Sequence, residues 1–78
     1  MTMNVIKKIA VISGEEKGYR KELNLVSWNG REPKLDLRNW SPEGIALKGV
    51  TLTEDEAKEL RKVLNDIFSE QYIGLSGH

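Results

Sequence analysis

The segment RKELNLVSWNGREPKLDLRNW, residues 20–40, reads as two strands joined by a tight loop. Successive side chains of a strand point to opposite faces of its sheet. At odd-numbered positions both predicted strands carry a pair of leucines, whereas the even-numbered positions carry polar, charged and aromatic side chains. The even-numbered row is unusual because it aligns two tryptophans with three cations: Trp28, Trp40, Arg20, Lys34 and Arg38.

The flanking segments extend this strand pair to four strands. Residues 5–13 are apolar and β-branched and predict a first strand, although Lys7 and Lys8 fall on opposite faces and leave its register open. Residues 45–52 predict the fourth strand. The expected fold is α+β, an antiparallel meander with one helix across the leucine face, in a single domain of residues 1–78.

The helix begins at the clearest local signal in the chain. Thr53 and Glu56 have the spacing of a capping box, which predicts a helix over about 54–73 and a loose tail over 74–78. The apolar positions of this helix cover about half of its circumference, which is more than one sheet needs. The surplus indicates a second subunit, and the side chains expected at the dimer interface are Val63, Ile67 and Phe68.

Composition argues against catalysis. The chain has no cysteine, and its only histidine is the final residue, His78, so the usual triads, thiol mechanisms and thiolate metal sites are excluded. We therefore expect no enzyme activity, no metal site and no cofactor. No apolar run approaches the roughly 20 residues of a membrane span. A protein of the cytoplasm, associated with the nucleoid, is the expected localisation.

The charges are unevenly distributed although the net charge is zero. Residues 17–52 carry seven Lys and Arg against four acids, whereas residues 53–78 carry three against six. Single-stranded nucleic acids bind to aromatic platforms flanked by cations. The even-numbered face fits that chemistry, and Arg31 and Lys48 can extend its cationic track. Alternatively, the tryptophans close the edges of the core and the cations are ordinary solvated surface.

Four short motifs, in this order, resemble the positive-cofactor-four family of transcriptional coactivators, and its small bacterial members most closely. They lie within residues 17–64 and are Trp28-Asn29-Gly30-Arg31, Asp36-x-Arg38-x-Trp40, Pro42-Glu43-Gly44 and Lys48-Gly49-Val50-Thr51-Leu52. The resemblance implies a curved four-stranded sheet, a homodimer built on helix pairing, and single-stranded DNA bound across both sheets with little sequence preference.

The same resemblance implies roles for individual residues. Trp28 and Trp40 match stacking aromatics, and Lys21, Arg31, Arg38 and Lys48 match basic positions, whereas Asn29 stands where other members carry a lysine. Together with Arg20 and Lys34, these nine residues form the expected nucleic-acid site. The expected function is single-stranded DNA binding in support of transcription, replication or repair. The alternatives are a dimeric protein–protein adaptor of the transcription machinery and a single-stranded RNA binder.

Overall fold

The computed structural model describes residues 2–69. Its elements are, in chain order, β1 (Met3–Gly14), β2 (Arg20–Trp28), β3 (Lys34–Trp40), β4 (Ala46–Leu52) and α1 (Glu54–Ile67). The strands form one antiparallel sheet in the order β1-β2-β3-β4, which confirms the predicted meander and C-terminal helix. The helix ends at Ile67, earlier than the predicted 73, and the predicted tail lies outside the described residues.

Strand β1 departs from simple alternation. Three evenly spaced residues are skipped in its pairing with β2: Ile6, Ile9 and Ile12. Between these skipped residues the pairing alternates normally, so Lys7 lies opposite Leu25 and its neighbour Lys8 lies opposite Asn24, on the other face of the sheet. Such bulges bend a strand and increase its twist. The sequence left the register of β1 open. In the structure, the pairing of β1 with β2 shifts by one residue at every third position of β1.

The polar and aromatic face of the sheet is the more buried one. This inner face consists of the even-numbered side chains of β2 and β3 together with Thr51 of β4, which lies opposite Asp36. Val26 and Asp36 are fully buried on it, and Asn24 is nearly so. Within residues 2–69 the only helix lies on the other side of the sheet, beside Leu23, Leu35 and Leu52, so no helix of this part of the chain covers these buried side chains.

The leucine face, which we call the outer face, is only half-buried. Helix α1 lies along it, contacts β3 and β4, and shares with Leu23, Leu35 and Leu52 an open groove of about 270 Å³. No residue of α1 is buried. Among the predicted interface residues, Val63 is 41% and Phe68 72% exposed, and Ile67 is half-buried. The helix therefore has the predicted position, but a single chain covers its apolar side poorly.

The helix start is as predicted. Glu56 N donates to Thr53 Oγ1 (3.1 Å), and Thr53 N donates to Glu56 Oε1 (2.8 Å), which completes the capping box. These two bonds satisfy backbone donors that the first turn of a helix leaves without partners. They fix the chain direction directly after β4 and so place α1 beside the outer face.

Candidate nucleic-acid interface

Trp28 is held in one orientation at the end of β2. Its ring is half-buried, and its Nε1 donates a hydrogen bond to Thr51 Oγ1 (3.2 Å) on β4. The guanidinium carbon of Arg38 lies 5.3 Å from the centre of the ring, within the range of a cation–π interaction. Trp28 is therefore fixed by contacts with two other strands.

Arg38 is bound to the sheet by a bidentate ion pair. Its Nε and Nη2 each donate to one carboxylate oxygen of Asp36 at 2.9 Å, and its Nη1 donates to the Leu47 carbonyl (2.8 Å). Asp36 Oδ2 also accepts from Thr51 Oγ1 (2.9 Å). The hydrogen bonds with Asp36 raise the pKa of Arg38 above its ordinary value, although burial acts in the opposite direction. The positive charge of Arg38 is thus largely neutralised inside the chain.

A cleft beside Trp28 brings three of the predicted residues together. It has a volume of about 310 Å³ and is lined by Trp28, Arg31, Glu32, Lys34 and Thr51. Arg31 and Lys34 are exposed, and neither forms an ion pair within residues 2–69. An aromatic ring next to two unneutralised cations is the combination that binds a base and its phosphates.

Arg20 occupies a second ion pair on the inner face. Its side chain is 8% exposed, bonds Glu22, and donates from Nη1 to the carbonyls of Gly18 (3.2 Å) and Ser41 (3.0 Å). Burial by itself raises the pKa of Glu22, but hydrogen bonds from Asn24 and Arg20 and the positive charges nearby outweigh it and hold that pKa below its ordinary value. Arg20 is therefore committed to the sheet.

The other predicted residues lie apart from the cleft. Trp40 is only 9% exposed, so little of its ring is free for stacking. Lys21 is exposed on the outer face, and Lys48 is exposed in the irregular part of β4. Asn29 adopts a positive φ of 54°, and its Oδ1 accepts from Thr2 N (2.8 Å), so it joins the hairpin loop to the chain start.

Two inner-face residues were not predicted as part of the site. Thr51 lines the cleft and Asp36 holds Arg38. A signal for Asp36 was available, because residues two apart on a strand share a face and Asp36 precedes Arg38 at that spacing. Thr51 gave no such signal, since its contact with Trp28 depends on the registers of three strands.

Metal binding and membrane crossing can be examined over the described residues. In residues 2–69 no group of three or more Asp, Glu, His or Cys side chains is placed to hold a metal ion. Over the same range, the helix is too short and too polar to cross a membrane.

The structure thus combines a four-stranded meander, one helix, and a cleft in which an aromatic ring lies beside two exposed cations. The sequence model of the family Transcriptional Coactivator p15 (PC4) matches residues 16–63, more than half of the chain. The chain therefore belongs to the PC4 family, as its motifs predicted. Membership indicates nucleic-acid binding and transcription coactivation.

A similar protein is found in the bacterium Treponema pallidum. The chain is 41% identical over 69 residues to an uncharacterized protein of Treponema pallidum (strain Nichols), and the match covers 87% of this chain and 81% of that protein. The similarity therefore extends beyond the segment matched by the family model.

Proposed function

We propose that this protein binds single-stranded DNA with little sequence preference, as a homodimer, in support of transcription, replication or repair. The main support for the proposal is the cleft in which Trp28 lies beside Arg31 and Lys34. Stacking on an aromatic ring contributes about 1–3 kcal/mol per base and tolerates every base. Stacking and phosphate contacts carry little sequence information, so discrimination between sequences is small.

The cations of the site have two different roles in this proposal. Arg31 and Lys34 contact phosphates next to the stacked base, and Lys48 is exposed and available to a further phosphate of the strand. Lys21 lies on the outer face, away from the cleft, and takes no part in this proposal. Arg20 and Arg38 are paired with buried carboxylates, so they contribute less to phosphate binding than their number in the sequence suggests.

The apolar surface that a single chain leaves uncovered supports the proposed homodimer. Within residues 2–69 the buried apolar side chains are Val26 and Trp40 alone, and the apolar side of α1 is exposed. Small domains bury a small fraction of their surface and gain stability by association. A second α1 packed on Val63, Ile67 and Phe68 removes this surface from water and places two inner faces in one particle.

The test measures the affinity for a fluorescein-labelled oligo-dT by anisotropy. We expect Trp28→Ala to weaken binding by about 5- to 150-fold, which corresponds to the loss of one stacked base. Lys7→Ala serves as the control, because Lys7 is exposed on the outer face opposite Leu25. Equal affinities for both variants, with folding verified by circular dichroism, remove Trp28 from the site.

A contact with the transcription machinery is the second candidate function. It is favoured by the coactivator description of the family and by the exposed isoleucines of β1, which nucleic-acid binding does not use. Capture of a polymerase subunit that survives both nuclease treatment and the Trp28→Ala substitution supports this role. Competition of oligo-U against the labelled oligo-dT tests the RNA alternative in the same assay.

A further inference from the structure

We propose that Thr51 and Asp36 are positioning residues, which hold the Trp28 ring and the Arg38 guanidinium together as one stacking unit for a nucleobase. This role presupposes the single-strand binding proposed above and adds to it the side chains that prepare the platform. Neither Thr51 nor Asp36 needs to touch the nucleic acid for it.

The hydrogen-bond directions are determined by the chemistry of the four groups. The indole N–H of Trp28 can only donate, so Thr51 Oγ1 accepts from it. The single hydroxyl proton of Thr51 is then free for Asp36 Oδ2, 2.9 Å away. Asp36 accepts two further bonds from Arg38, whose guanidinium returns to the Trp28 ring. The contacts form a closed circuit of four side chains on three strands.

The circuit also assigns Arg38 a role. Three of its five N–H donors are used inside the chain, two by Asp36 and one by the Leu47 carbonyl. Arg38 does not line the cleft, whereas Trp28 and Thr51 do. The guanidinium therefore supports one part of the ring from within the sheet and leaves another part open to a base. It acts through Trp28 rather than as a principal phosphate contact.

Thr51→Val tests the circuit because it removes the hydroxyl and keeps a β-branched side chain suited to a strand. The substitution removes two hydrogen bonds, from Trp28 and to Asp36, of which the first orients the stacking ring. We expect oligo-dT to bind about 3- to 10-fold more weakly, the effect of losing that one bond to the ring. The dependence of affinity on salt stays unchanged because no cation is removed. Thr51→Ser restores the affinity. Ser13→Ala, which removes an exposed hydroxyl from the outer face, has no effect.

A spectroscopic readout separates positioning from a general loss of structure. In a Trp40→Phe background the fluorescence reports on Trp28 alone, and this change removes no hydrogen bond, since Trp40 Nε1 has no partner within residues 2–69. We expect Thr51→Val to move the emission to longer wavelength as the released ring meets water, and Thr51→Ser to reverse the shift.

The outcomes distinguish this inference from the proposed function. If Thr51→Val leaves affinity and emission unchanged while Trp28→Ala weakens binding, the platform is correctly located but the positioning role is wrong. A loss of affinity that Thr51→Ser does not restore also contradicts it. If Trp28→Ala has no effect either, the proposed function fails and the positioning role fails with it.

Discussion

Neutralising Lys34 is expected to change how binding responds to salt, whereas neutralising Lys7 is not. The two lysines are both exposed and both lie on strands, but they occupy opposite sides of the sheet. Lys34 lies opposite Val26 and lines the cleft beside Trp28, whereas Lys7 lies opposite Leu25 on the outer face. Lys34→Gln and Lys7→Gln are therefore a matched pair of substitutions that differ in position alone.

The size of the effect follows from counterion release. Each phosphate contact on a single strand contributes about −0.7 to the slope of log K against log salt concentration. Because Lys34 has no ion pair within residues 2–69, its contact is available in full. Lys34→Gln then makes the slope of log K against log salt concentration shallower by about 0.7. For each tenfold increase in salt, the affinity of the variant therefore falls about fivefold less than that of the wild type. If one strand contacts both subunits of a dimer, the reduction is about 1.4.

The assay is the anisotropy of labelled oligo-dT at five or more salt concentrations. We expect parallel lines for the wild type and Lys7→Gln and a shallower line for Lys34→Gln. Equal slopes for all three proteins refute the assignment of Lys34 to phosphate. Equal reductions in both variants mean that the salt effect arises from total charge and not from the cleft.

Three further predictions concern the fold, its pH dependence and its assembly. Thr53→Ala removes the capping box and should lower the free energy of unfolding by about 0.5–2 kcal/mol in a urea titration, with Thr53→Ser retaining most of it. Folding lowers the pKa of Glu22, so the ionised Glu22 side chain stabilises the folded state fully above pH 4.5, its ordinary pKa, and this stabilisation is lost as the pH falls below that value. Glu22→Gln should therefore lose less stability on acidification than the wild type. Parallel losses of stability in the two proteins would contradict this. Val63→Gln should shift the sedimentation equilibrium towards monomer, whereas Lys62→Gln, a polar neighbour about 100° away around α1, should not.

Local signals predicted the parts of the fold that depend on neighbouring residues. The capping box fixed the start of α1 because its two bonds join residues three apart. The alternation of residues 20–40 likewise predicted β2 and β3 and the two faces of the sheet between them. These features need no knowledge of distant contacts.

The parts that the sequence did not predict depend on contacts between distant strands. The three-residue repeat of β1 arises from its bulges against β2, and a two-residue pattern cannot describe it. The sequence placed cations and tryptophans at alternate positions and so predicted a basic face. It did not predict that Arg20 and Arg38 form ion pairs with buried carboxylates, because those contacts depend on how the strands pack. The burial of Trp40, which is only 9% exposed, likewise could not be predicted from the neighbouring residues.

The most direct test of the account is a titration of the intrinsic tryptophan fluorescence with unlabelled oligo-dT at several salt concentrations. We expect quenching, because a base stacks on the Trp28 ring, and a midpoint that moves to higher oligo-dT concentration as salt increases. Unchanged fluorescence at low salt, under conditions where oligo-dT is in large excess, would contradict it and would leave Trp28 with a structural role only.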